Sequence, residues 1–238
     1  MSNALAFNYN IEEIIKNLVT ENNEPVDNTF SAKQQRLLVE PLYSSWSPLD
    51  YETGEPRKFW ADADVLVSLN VELREDVALK DQRAYFVWET DKVPDVCTEI
   101  VSKTKGGETT KKKNRYAEIG VPIYVVFDPF RALSDEALCA FQLGFGKQYI
   151  TRQSLIFDEI GLGVTLWKGD FEDRNDEWLR WTNADGDLIL TGNERAKLES
   201  KRGDAEKNRA DIESERANLE YERAEMLAEK LRDLGIDI

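Results

Sequence analysis

The chain is predicted to be an α/β protein with a mixed central sheet and a charged helical tail. Three observations predict this. A strand, helix, strand pattern fills residues 96–127; short apolar segments flank it on both sides; and the composition changes abruptly at residues 191–193. The chain has 238 residues, 41% hydrophobic and 10% aromatic, which suits one medium domain with an appendage.

Residues 1–25 read as a tail with a short helix over 11–19. Residues 22–28 form a polar link. Ser31 with Gln34 resembles a capping box, so a helix is expected over 33–39, ended or kinked by Pro41. Residues 61–69 read as one buried strand that is apolar but for Asp62, Asp64 and Ser68. Residues 85–88 (YFVW) and 96–101 (VCTEIV) read as two more strands. Residues 109–119 have helical character, and Gly120 stands where a C-terminal cap belongs. Residues 123–127 (IYVVF) complete a βαβ unit, for which a right-handed crossover is expected. Two hairpins follow: 141–145 with 148–151 around Gly146-Lys147, and 177–181 with 188–190 around Asp185-Gly186.

Residues 194–238 form the tail, with 13 acidic and 10 basic residues. Leu198, Ala205, Ile212, Leu219 and Met226 recur every seven residues. The first four are each followed by Glu, and Arg comes three residues after that Glu. Such i,i+3 pairs support a helix. A coiled-coil seam wants two apolar positions per heptad, and the second column here is Gly203, Ala210, Ala217 and Ala224, which is badly placed. The tail reads as a solvated charged helix or a weak oligomerisation helix.

Composition removes whole classes of chemistry. The chain has no histidine, so imidazole acids, bases and ligands are excluded. Cys97 and Cys139 cannot build a four-ligand zinc site and read as small buried hydrophobes. No apolar run reaches the ~18 residues of a membrane span, and the first ten residues do not resemble a signal peptide, so a cytoplasmic location and no membrane partner are expected. The net charge of −15 argues against a general nucleic-acid coat, though not against a local basic groove.

That groove has a candidate. Residues 101–116 hold Lys103, Lys105, Lys111, Lys112, Lys113 and Arg115 against one acid, Glu108. The segment directly follows Glu99, the single acid of an apolar strand, and an ionised carboxylate there is costly unless paired or metal-bound. If Asp64 and Glu99 meet, their oxygens suit Mg²⁺. Carboxylates, a hard cation and lysines are the parts that phosphodiester hydrolysis needs. Each residue also has a structural reading. Asp64 is satisfied by backbone donors, Glu99 by a nearby lysine, and Lys112 by Glu108 one turn away. Trp167, Trp178 and Trp181 read as packing residues before base-stacking platforms.

Several segments are specific when taken together: 25–46 (PVDNTFSAKQQRLLVEPLYSSW), 63–71 (ADVLVSLNV), 85–89 (YFVWE), 94–102 (PDVCTEIVS), 113–129 (KNRYAEIGVPIYVVFDP) and 163–195. Through them residues 26–193 resemble the Uma-two-type restriction endonuclease domain, cyanobacterial type, of the PD-(D/E)xK nuclease superfamily. The ending 227–238 is similar too. The resemblance implies a restriction-endonuclease-like mixed sheet flanked by helices. It implies catalytic Asp64, Glu99 and Lys112, with Mg²⁺ (Mn²⁺ substituting) held by Asp64, Glu99 and the Ile100 carbonyl. The superfamily lysine lies two residues after the acid, where this chain has Val101; in this family the following helix supplies it, four residues before a Tyr. Counting back from Tyr116 gives Lys112, with Lys111 and Lys113 as neighbours to be told apart and Glu108 as a supporting acid. Ala63 replaces the usual proline, and Asp95 reads as a strand-start residue.

The expected function is therefore a Mg²⁺-dependent endonuclease acting on DNA, with RNA open as a substrate. A homodimer is expected, because two cuts on a duplex call for two sites. The competing reading is a catalytically silent nuclease fold that works as a binding or assembly module through its tail.

Overall fold

The computed structural model describes residues 29–50, 52–62, 65–71, 85–101 and 108–233. The helix expected over 11–19 lies outside them. The chain divides into two units, Met1–Thr191 and Gly192–Ile238. The first contains α1 (Thr29–Ser45), β1 (Phe59–Ala61), β2 (Leu66–Leu69), a short α2 (Val87–Thr90) and β3 (Val96–Ile100). A π-turn (Glu108–Lys112) then runs into α3 (Lys113–Ile119). The strands β4 (Ile123–Phe127), β5 (Leu138–Leu143), β6 (Tyr149–Thr151), β7 (Ile156–Phe157), β8 (Leu162–Phe171) and β9 (Arg174–Asn183) complete the unit. The second unit holds α4 (Gly192–Asp233), the helix expected from the heptads. Its apolar column is exposed at Leu198, Ile212, Leu219 and Met226.

Six strands form one sheet in the order β1-β2-β3-β4-β5-β6, and β7-β8-β9 form a second. Among the described residues only β3 and β4 are parallel, pairing Val96 with Ile123 through Ile100 with Phe127. The helical segment between them makes this the expected βαβ unit, and Gly120 closes α3 in the left-handed region at φ +99°. One face of the large sheet carries Val67, Leu69, Val96, Ile123, Val125 and Phe127, buried in the main core with α1 and the second sheet. The other carries Cys97, Val101, Tyr124, Val126 and Phe141, in a smaller core with Tyr116 of α3 packed against it. Strand alternation sorts the residues this way and puts Glu99 on the α3 face, between Cys97 and Val101.

In α1 the buried residues Phe30, Ser31, Gln34, Leu37, Leu38, Pro41 and Leu42 recur at three- and four-residue steps, which makes one apolar stripe. The capping box does not form, because Ser31 and Gln34 already lie inside the helix. The helix also continues through Pro41 to Ser45. Proline removes one helical hydrogen bond, and burial of Pro41 and Leu42 offsets that loss. Gln34 instead docks the helix on β9. Its amide donates to Leu179 O at 2.8 Å and accepts from Leu179 N–H at 2.9 Å. This satisfies the backbone of a strand at the edge of its sheet. Gln34→Ala strands both groups in a buried site, and urea unfolding should show a loss of about 1–3 kcal/mol. A loss near zero would contradict this docking role.

Three other expectations need correction. Residues 61–69 are not one strand: β1 ends at Ala61 and pairs antiparallel with β2, Ala61 opposite Val67. Asp62 N–H donates to Leu66 O, Val65 N–H donates to Asp62 O, and Val65 takes φ +55°. Residues 85–88 are not a strand either. Phe86 is extended, Val87–Thr90 form a helical turn, and Asp91 ends it in the left-handed region. Finally, β9 pairs mainly with β8 in a long hairpin of two ten-residue strands turned at Glu172-Asp173. The expected partner 188–190 contributes an isolated bridge, Thr182 to Leu188. The tryptophans follow the packing reading: Trp178 and Trp181 are fully buried, and Trp167 packs against the main core.

Candidate active site

Glu99 stands near the C-terminal end of β3, on the strand pair at the middle of the large sheet. Its neighbours on that face, Cys97 and Val101, are buried and apolar. Two side chains of the following helical segment reach it. Lys112 Nζ donates to Glu99 Oε2 at 2.7 Å, and Tyr116 Oη donates to Oε1 at 3.0 Å. Lys112 is the last residue of the π-turn and Tyr116 lies one turn on in α3, so both point from one face. The Glu99 side chain is 15% exposed and that of Lys112 is 42% exposed, so the pair lies at the rim of the core. Burial and the Glu99 charge push the Tyr116 hydroxyl well above the usual phenol range, which keeps it a neutral donor. The same two causes raise the Cys97 thiol, so this cysteine is inert.

Geometry separates the three adjacent lysines. Lys111 is exposed. Lys113 turns to the other side, its ammonium 3.4 Å from the Phe141 ring centroid, where burial lowers its pKa. Lys112 alone of the three is seen on Glu99. Glu108 opens the π-turn, and its side chain lies outside the described residues, as does Asp64. The residue after Asp64 is described: Val65 O accepts from Thr98 N–H at 2.9 Å, one residue from Glu99. Ile100 follows Glu99 at the end of β3 and is partly exposed. Asp95 serves elsewhere. It accepts from Leu69 N–H at 2.7 Å and from Lys92 Nζ at 2.5 Å, holding the end of β2.

Tyr116 is the residue that sequence reasoning used as a landmark and did not place in the site. Its i,i+4 spacing from Lys112 was the available signal.

The donor chemistry fits a hard cation. Glu99 offers carboxylate oxygen, with no imidazole in the chain and the nearby thiol held protonated. Among the described residues no cluster of three acids or cysteines occurs. A second acid would have to come from Asp64.

A mixed sheet flanked by helices, with an acid on its parallel central pair and a lysine brought onto it by the next helix, defines a restriction-endonuclease-like protein. Residues 24–162 match the family described as Uma2, Putative restriction endonuclease, and the chain belongs to that family. Neither the curated proteins nor the solved structures give a match. Membership makes the chain one of a nuclease family, for which DNA is the implied substrate and divalent metals are the usual requirement. No helix among the described residues is long and apolar enough to cross a membrane.

Proposed function

We propose that the chain is a Mg²⁺-dependent endonuclease that hydrolyses DNA phosphodiester bonds with Asp64, Glu99 and Lys112. The observation that carries this reading is the 2.7 Å contact of Lys112 Nζ with Glu99 Oε2, partly exposed beside the buried Cys97 and Val101. The cation would be held by Asp64, Glu99 and the Ile100 carbonyl, with Mn²⁺ able to replace Mg²⁺. When bound, it supplies charge that polarises the phosphate and activates a water. Glu99 keeps an anionic oxygen fixed at the end of β3. Lys112 provides a mobile positive charge that neutralises charge building on the phosphate or orients the attacking water. Asp64 is drawn into the proposal by its sequence position before Val65, which bonds to Thr98 beside Glu99.

The basic residues around Lys112 supply attraction for the phosphate backbone inside an acidic protein. Supercoiled plasmid incubated with the protein should be nicked or linearised in Mg²⁺. Excess EDTA should stop cleavage, and added Mn²⁺ should restore it. Cleavage that continues at the same rate in chelator would contradict a metal-dependent reaction.

A further inference from the structure

We infer that Tyr116 is a positioning residue for the reaction: its hydroxyl fixes the Glu99 carboxylate so that Oε2 alone faces Lys112 and an incoming cation. This rests on the nuclease reading above and extends it to a residue that neither motif counting nor composition assigns. A terminal carboxylate torsion is soft and broadly populated, so an unrestrained Glu99 would sample many orientations. Two donors restrain it here, and they differ in kind. Lys112 sits on a flexible four-carbon stem and is 42% exposed, so it holds Oε2 less rigidly.

Tyr116 is anchored. Its ring lies 5.2 Å from that of Tyr124, which is fully buried and is itself flanked by Tyr149 at 5.5 Å and Phe141 at 6.2 Å. Its carbonyl accepts from Gly120 N–H at 3.0 Å and Val121 N–H at 3.1 Å, which ties the residue to the turn before β4. The hydroxyl therefore reaches Glu99 from a rigid frame that also carries β4. Ligating carboxylates need such outer partners, and losing one typically costs about 10–100-fold in metal affinity or activity.

The test is Tyr116→Phe in the full chain, which keeps the ring and its packing and deletes only the hydroxyl. Circular dichroism verifies the fold. Mn²⁺ binding without DNA is measured by calorimetry, and plasmid nicking is followed against Mg²⁺ concentration. The expected result is Mn²⁺ binding weakened by about 10–100-fold. The Mg²⁺ concentration for half-maximal rate rises in step, while the rate at saturating Mg²⁺ recovers most of the wild-type value. Tyr116→Leu, which also removes the ring, should melt at lower temperature yet bind Mn²⁺ no worse than the Phe variant. Wild-type affinity in a folded Tyr116→Phe protein would overturn the positioning role alone. No Mn²⁺ binding by the wild-type protein would overturn the nuclease reading, and the positioning role with it.

Discussion

Lys112→Ala should cut DNA cleavage by about 10²–10³-fold at a smaller cost in stability that leaves the protein folded. The two halves of that expectation come from the same geometry. The Lys112 ammonium is half-exposed and Glu99 keeps its hydrogen bond from Tyr116 when the lysine is removed, so the stability at stake is about 1–3 kcal/mol even though Glu99 is only 15% exposed. Its value to catalysis is larger, because charge on the phosphate grows only in the transition state and a cation already in place stabilises it selectively. Glu99→Gln should lose at least as much activity. The amide still accepts a hydrogen bond from Tyr116 but carries no charge for a metal. Steady-state cleavage rates beside urea unfolding curves test both. A Lys112→Ala protein that is strongly destabilised yet fully active would mark the contact as a structural ion pair.

The largest loss of stability is expected at Trp178. This side chain is fully buried and stacks on Phe30 with ring centroids 4.9 Å apart and planes 7° from parallel. Phe171 meets it edge-on at 5.8 Å, and its indole N–H donates to Gly169 O at 3.0 Å. It thus joins α1 to both strands of the long hairpin. Trp178→Ala removes the ring and leaves a cavity, at about 3–5 kcal/mol. Against a typical domain stability of about 5–15 kcal/mol, that is a large fraction. Urea midpoints would show it. Phe145→Ala serves as the contrast: Phe145 is fully exposed at a hairpin tip, and its loss should change stability by less than about 0.5 kcal/mol.

What was legible in the sequence followed from strong local signals. The apolar runs of β3 and β4 and the capping glycine at 120 announced the βαβ unit, and the register of Val96 with Ile123 bears it out. Glu99 stood out as a lone acid in an apolar strand. Lys112 did not stand out among three lysines; the resemblance selected it by its distance from Tyr116. Side-chain direction gives the physical reason, with Lys113 on the Phe141 ring and Lys111 in solvent.

The misses share a cause: backbone conformations carried by residues that do not advertise them. The long hairpin turns at Glu172-Asp173, both at positive φ, where Asn-Gly would have been the readable signal. The break between β1 and β2 includes a valine at φ +55°, an uncommon conformation for a β-branched residue. The aromatic run 85–88 looked like a strand, yet Tyr85 spends its hydroxyl on Lys92 O and Ser68 while the chain turns beneath it.

The most direct measurement sets the wild-type protein beside a Glu99→Gln, Lys112→Ala double variant, on supercoiled plasmid with Mg²⁺. Nicked or linear product from the wild type alone is the predicted result. Equal cleavage by both proteins would place the chemistry elsewhere, and no cleavage by either across Mg²⁺, Mn²⁺ and salt would contradict a nuclease at this site.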